Sequence, residues 1–296
     1  MSVVTELFSV FEQHPALWLG VALLLGLIVG SFLNVVILRL PEMMAQDWRR
    51  ECRELLSEQG DTVSTHTDAD AQTVTLLRPR SRCPQCHTPI KAWQNVPIIS
   101  WLLLRGRCQH CGKKISVQYP LVELSAGLLA LAVAWHFEPG WYALSLWLFC
   151  WILLTSAVID IRTQLLPDSL TLPLLWLGLV LALLLPNFPV SLEDAVLGAV
   201  FGYLALWSVY WLFKLLTGKE GMGFGDFKLL AALGAWLGWQ MLPIVILFSA
   251  LVGSVVGIAM ILLLGRDRRI PIPFGPYLAG AGLLALFWGE PIMQAY

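Results

Sequence analysis

The sequence predicts an all-α polytopic membrane protein of about eight transmembrane helices, with a small zinc-binding cytoplasmic domain. Three observations predict it. The 296 residues are 57% hydrophobic and only 13% charged, with mean hydropathy +0.72, whereas soluble domains carry nearer ~25% charged residues. Apolar runs long enough to cross a bilayer, at ~20 residues per helix, recur along most of the chain. Many of the 14 tryptophans stand near the ends of those runs, as in interfacial belts. Net charge is −1, so charge gives no pointer to nucleic acid, and none is expected as a partner.

The first apolar run, Ala16 to Leu38, is long enough to span. It is preceded by Glu6 and Glu12 and by no Lys or Arg. A secretory signal opens on a basic segment, so this run reads as a retained first span. The candidate spans lie near 16–38, 119–137, 141–160, 169–186, 193–215, 226–239, 241–264 and 274–290. The sixth is too short to cross alone and reads as a tilted or half-inserted helix.

The positive-inside rule tests this count. With the N-terminus outside, the inner segments are 39–118, 161–168, 216–225 and 265–273. All 19 Lys and Arg fall in those segments or at their edges, 12 of them between Arg39 and Lys114. Removing one span would put some of them on the wrong side, so both termini are expected outside. Small residues recur at four-residue spacing within spans, as Gly26/Gly30, Gly198/Gly202 and Gly253/Gly257, which lets helices pack closely in lipid. The chain divides as a first span (1–38), a cytoplasmic domain (39–118) and a membrane domain (119–296). Within the polar domain, the stretch from Gln46 to Thr75 reads as a helix and then a loose loop through Asp61–Asp70.

Cys83-Pro84-Gln85-Cys86 and Cys108-Gln109-His110-Cys111 form a CxxC…CxxC pair. Each turn presents two thiolates to one metal, and two turns complete a tetrahedron. The topology puts these cysteines in the cytoplasm, where disulfides are rare. No thioredoxin-like βαβ pattern surrounds them, as a redox CxxC would have. Cys83, Cys86, Cys108 and Cys111 are therefore the expected ligands of a structural zinc, which four protein ligands leave without an open position. His87 or His110 is a weaker alternative ligand. Cys52 and Cys150 are unpaired.

Two further aspartates stand where a simple membrane span would not place them. Gly221-Met222-Gly223-Phe224-Gly225-Asp226-Phe227-Lys228 puts three glycines and a carboxylate at a membrane boundary, where charge is expensive and glycine weakens a helix. Asp160 ends the third span, before Leu165-Leu166-Pro167-Asp168. Both lie at the inner membrane face in this topology. Two close carboxylates cannot both ionise easily. The ionised one takes a proton from water while its partner donates to a carbonyl oxygen, the chemistry of aspartic peptide hydrolysis. Other roles fit the same residues: Asp226 as a helix cap, Asp160 as a partner of Arg162, Asp168 as the cap of the fourth span. A cation-coupled transporter would also use acids in a membrane, although these sit at one face and no interrupted helix pair repeats. An assembly scaffold docking a partner through its zinc module is a third possibility.

These motifs coincide in one family. The chain resembles the bacterial type IV prepilin peptidases, the leader peptidase/N-methyltransferases of pilus and type II secretion systems. The resemblance is carried by Gly30-Ser31-Phe32-Leu33-Asn34-Val35-Val36-Ile37 with Arg39 and Pro41, by Arg82-Cys83-Pro84-Gln85-Cys86, and by Ser100-Trp101-Leu102-Leu103-Leu104-Arg105-Gly106. It continues in Tyr119-Pro120-Leu121-Val122-Glu123, Asp160 with Leu166-Pro167-Asp168, Gly223-Phe224-Gly225-Asp226-Phe227-Lys228, and Pro273-Phe274-Gly275-Pro276. It implies that Asp160 and Asp226 are the catalytic pair of a GxGD aspartic membrane peptidase. It implies cleavage of a short basic leader after a glycine, in prepilins and pseudopilins, at the cytoplasmic face of a bacterial inner membrane, with both termini periplasmic. The new N-terminal residue would be methylated from S-adenosylmethionine, and the four cysteines match the family's zinc module. No GxGxxG follows a strand, so a soluble methyltransferase fold is not encoded. Asn34 and Arg39 are candidates to line the methyl-donor pocket, and Glu123 is a candidate partner for the leader's positive charge. Residues 46–75 match nothing in the family pattern.

Overall fold

A computed structural model describes residues 3–58, 74–78, 80–83, 85–265 and 272–294. The loop expected through Asp61–Asp70, like Arg266, Arg268 and Arg269, lies outside the described residues. Among the described residues ten α-helices follow in order: α1 (Val3–Gln13), α2 (Pro15–Glu58), α3 (Ile99–Leu103), α4 (Gln118–His136), α5 (Trp141–Thr163), α6 (Asp168–Leu184), α7 (Leu192–Thr217), α8 (Phe224–Leu237), α9 (Leu242–Leu264) and α10 (Gly275–Gln294). Among the described residues there is no strand, only two isolated bridges, Arg82–Pro89 and Arg107–Lys114.

Each of the eight expected spans is a helix, so the fold is all-α and polytopic. Five of them, α2, α4, α5, α7 and α9, are long and apolar enough to cross a bilayer, and α6 is a shorter apolar helix. Two features exceed the expectation. A short helix, α1, precedes the first span. The first span does not stop near Leu38 but runs on through Pro41 to Glu58 as one 44-residue helix. Its distal part is rich in helix formers and carries an Arg50–Asp47 pair at 3.2 Å, which supports an exposed helix.

The chain forms two compact units, Met1–Leu23 with Leu129–Tyr296, and Leu24–Leu128. In the first, α8 is the centre. It packs against α6, α7, α9 and α10, and from Asp226 to Trp236 every residue except Lys228 is buried. This explains the short sixth span. At ~1.5 Å per residue its 14 residues cover ~21 Å, less than the ~30 Å hydrocarbon core; neighbouring helices, not lipid, surround it.

The Gly198/Gly202 spacing acts as predicted. A methyl on Gly198 would run into the backbone of Gly234, and one on Gly202 would stand 2.6 Å from the Leu230 carbonyl oxygen. The backbones of α7 and α8 therefore touch. Trp236 Nε1 donates to the Leu174 carbonyl at 2.8 Å, tying α8 to α6. At the other end of the unit, α1 attaches through rings: Phe8 meets Trp141 edge-on, and Trp18 stacks on Trp147 with centroids 4.8 Å apart.

In the second unit α2 and α4 pack closely at Gly30, where a methyl would stand 2.7 Å from Glu123 Cα. The Glu123 carboxylate is buried and accepts the Ile98 N–H at 2.8 Å. Ile98 has φ 58°, and Ile99 N donates to Pro97 O at 2.5 Å. This is a γ-turn of the rare positive-φ kind, which a β-branched residue adopts only under constraint. Glu123 Oε2 holds this turn through the Ile98 N–H, so Glu123 has a packing role within its own unit.

Candidate active site and metal centre

Three helix ends build the carboxylate site. Asp160 lies in the last turn of α5, which closes at Gln164, a left-handed residue (φ 56°) whose N–H caps the Asp160 carbonyl at 2.9 Å. Asp226 lies in the first turn of α8, behind the N-cap residue Gly223. A helix N-terminus favours negative charge, so the sequence puts the second carboxylate at the end of α8 that best tolerates it. The third end is the start of α10, where Gly275 N donates to Asp160 Oδ2 at 2.9 Å. That N–H has no acceptor within its own helix, and the carboxylate takes it.

The two aspartates expected from the sequence come together. Asp160 is 5% exposed and Asp226 7%, and the helix ends that carry them meet around Leu166. Leu166 is wedged among the three helix ends. A methyl on Gly225 would stand 2.6 Å from Leu166 Cβ, and one on Gly275 would stand 2.7 Å from Asp160 Oδ2 and 3.1 Å from the Leu166 methyls. Both glycines are thus required by close approach. One carboxylate oxygen, Asp226 Oδ1, is buried with no hydrogen-bond partner. Such an arrangement holds two buried carboxyl groups together with one oxygen committed to a backbone donor and another uncommitted.

Asp168 does not cap the fourth span. Pro167 occupies the cap position, Asp168 is the first residue of α6, and its side chain makes no cap. Both of its oxygens instead accept from Lys228 Nζ at 2.7 Å. This ion pair ties the start of α6 to α8, two residues beyond Asp226. The sequence signalled neither this pairing nor the use of the Gly275 amide, although both residues stood in quoted motifs.

The four cysteines also converge, in the other unit. Their sulfurs all lie within 4.8 Å of one another, with Cys83 to Cys111 at 3.8 Å and Cys86 to Cys108 at 4.0 Å. A tetrahedron with ~2.3 Å metal–sulfur arms has edges of ~3.8 Å, and these two sulfur–sulfur separations are close to that length. The two knuckles repeat one geometry. Cys83 N bonds Thr88 O and His87 N bonds Cys83 O; Cys108 N bonds Lys113 O and Gly112 N bonds Cys108 O. His87 (φ 54°) and Gly112 (φ 69°) hold the same left-handed position. The Thr88 hydroxyl and N–H pull the Cys86 thiol down to about 6, and the N–H groups of Cys111 and His110 lower Cys108. Cys111 accepts the Lys113 N–H, yet desolvation and the crowding of the other three sulfurs push it up to about 11. Four cysteine sulfurs this close could hold one metal ion, which would draw off their protons.

The residues considered for the methyl donor have partners of their own. Arg39 Nη1 donates to Thr75 O at 2.9 Å and Leu76 O at 3.1 Å, pinning that segment. Asn34 Nδ2 donates to Gly30 O and Tyr119 O, while its Oδ1 is buried and unpartnered. An orphaned acceptor of this kind fits an amino group of a ligand.

Comparison with known proteins agrees with this division. Residues 24–137 match the family model described as Bacterial Peptidase A24 N-terminal domain, and residues 147–258 match the Type IV leader peptidase family. A protein of Stutzerimonas stutzeri named prepilin leader peptidase/N-methyltransferase is 55% identical over 96% of this chain and 95% of its own. Proteins of the same name from Aeromonas hydrophila (55% identical, 95% of this chain and 94% of its own) and Pseudomonas aeruginosa (51%, 98% and 97%) are similar. No solved structure matches the chain.

Proposed function

The chain belongs to the type IV leader peptidase family, and from that premise we propose that it cleaves the short basic leader from type IV prepilins and pseudopilins and N-methylates the residue thereby exposed. It is an aspartic endopeptidase and an N-methyltransferase; the names of its relatives give the transporter reading no support. Asp160 and Asp226 are the catalytic pair. The observation that carries this is their convergence, buried and within electrostatic reach, from the ends of α5 and α8.

In this reading a water sits between the two carboxyl groups, which share one proton because two adjacent buried charges cannot both persist. The ionised carboxylate takes a proton from the water as its oxygen bonds to the scissile carbonyl carbon. The protonated partner gives its proton to the carbonyl oxygen. The tetrahedral diol then collapses, the C–N bond breaks, and the proton held by the base passes to the leaving amine. The new amine is the methyl acceptor, and S-adenosylmethionine, when bound, supplies an electrophilic methyl group. Asn34 would hold an amino group of donor or acceptor through its unpartnered oxygen.

Zinc held by Cys83, Cys86, Cys108 and Cys111 would fold the 39–118 domain and take no part in hydrolysis. Residues 119–296 form the peptidase domain. The protein lies in the bacterial inner membrane with both termini periplasmic and residues 39–118 cytoplasmic, serving pilus assembly, type II secretion or both.

The test is direct. Purified protein in detergent is mixed with a prepilin and S-adenosylmethionine, and the product is read by mass spectrometry. The expected product has lost its leader and gained one methyl group. Intact prepilin after incubation, across several prepilins, would refute the proposal.

A further inference from the structure

We infer that the backbone N–H of Gly275 is a positioning group of the cleavage centre, one that fixes Asp160 as the ionised base and leaves Asp226 as the acid that carries the shared proton. The inference rests on the peptidase reading above and deepens it, because that reading leaves the two carboxyl groups interchangeable.

The geometry distinguishes the two carboxyl groups. Asp160 Oδ2 accepts a backbone N–H at 2.9 Å from Gly275, the first residue of α10. A donor fixed in the backbone favours the ionised form of the oxygen it reaches; the helix dipole acts on both members of the pair, since Asp226 stands in the first turn of α8. Asp226 also takes a backbone donor, from Gly223, but its Oδ1 is buried with no partner in the protein. An ionised carboxylate would find no protein donor for that oxygen; a protonated one can instead donate its O–H. Finally, Gly275 has no room for a side chain, since a methyl would meet Asp160 Oδ2 at 2.7 Å. The amide is held close to the carboxylate because nothing intervenes.

Among the described residues, the ionisable groups on the adjoining helix ends are few. The end of α5 also carries Arg162, α6 begins with Asp168, α8 carries Asp226 and Lys228, and α10 carries Tyr277. Lys228 is bound by both oxygens of Asp168. The proton count balances with one proton on the pair: Asp160 accepts from water, Asp226 delivers to the carbonyl oxygen, and after C–N cleavage Asp160 gives its proton to the amine while Asp226 recovers one from the diol.

The test removes the donor without adding atoms. Cell-free synthesis of the full chain with glycolate in place of Gly275 changes that amide to an ester, deleting the N–H while keeping the Phe274 carbonyl as a weaker acceptor for Tyr277 and Leu278. Leader cleavage should then fall roughly tenfold to a hundredfold in kcat, the range for a hydrogen bond to a charged group, with KM unchanged. Methyl transfer to a pre-cleaved pilin should be unchanged, since that substrate bypasses the aspartates. Gly275→Ala, made beside Leu166→Ala, separates packing from positioning. Relief of the Leu166 contact should not restore cleavage, because the clash with Asp160 persists. Unchanged kcat in the ester variant would overturn the inference. So would equal loss of cleavage and methyl transfer, which would make the amide a folding contact, or recovery of Gly275→Ala activity when Leu166→Ala is added. Failure of the wild type to cleave would instead sink the peptidase reading itself.

Discussion

Asp226 and Asp160 were legible as residues because each breaks a membrane rule: a carboxylate at the edge of an apolar run, one of them among glycines. Their partners were not. A backbone N–H such as that of Gly275 has no side-chain signature, so a glycine that donates looks like a glycine that only turns. Asp168 misled for a related reason. An aspartate before a serine and an apolar run reads as a cap, but Pro167 takes that position and Lys228, 60 residues away, takes the side chain. The Lys228–Asp168 pair is partly solvated, with side chains 28% and 55% exposed, so its net worth is small. Lys228→Met is expected to lower stability by no more than ~1 kcal/mol. Thermal unfolding in detergent would check this, with Asp168→Asn giving a similar loss and the double variant little more. A loss several times larger would show that the pair holds α6 to α8.

At the scale of elements, helix type and position followed from hydrophobic runs, while helix ends and helix burial did not. The first span merges with the helix expected from Gln46 because Pro41 is tolerated and the residues after it favour helix. The short α8 is buried by its neighbours, a tertiary fact that no local pattern carries. The paired CxxC turns were the most legible element, because each brings two sulfurs together and two such turns bring four to one point. Their matched turns and clustered sulfurs predict one zinc per chain, measured by metal analysis of the purified protein. Loss of an outer-shell partner alone costs ~10–100-fold in metal affinity, so Cys108→Ser is expected to cost at least ~100-fold. Cobalt substitution should give the absorption of a tetrahedral thiolate site in the wild type and lose it in the variant. A protein that retains zinc without Cys108 would remove that cysteine from the site.

Over the whole molecule, the distribution of Lys and Arg gave an orientation before any helix was placed, and the observed helices fall on the expected spans. Small residues explain how they close up: where Gly198 faces Gly234 the two backbones meet. Sequence spacing revealed the small residues but not which helices they join. The topology is checked by single reporter cysteines in a variant without native cysteines outside the zinc site. Reporters at either terminus should react with an impermeant thiol reagent in intact cells, and one in residues 39–58 should react only after lysis. Labelling of residues 39–58 in intact cells would invert the orientation and put the dyad on the wrong face.

The central claim is that one pair of buried carboxyl groups performs the cleavage. The measurement that tests it most directly is leader cleavage by Asp160→Asn and Asp226→Asn, each assayed beside methyl transfer to a pre-cleaved pilin. Each substitution is expected to lower cleavage by ~10²–10⁴-fold, as for the loss of a general acid or base, while methyl transfer persists. Cleavage surviving at the wild-type rate in either variant would contradict the account.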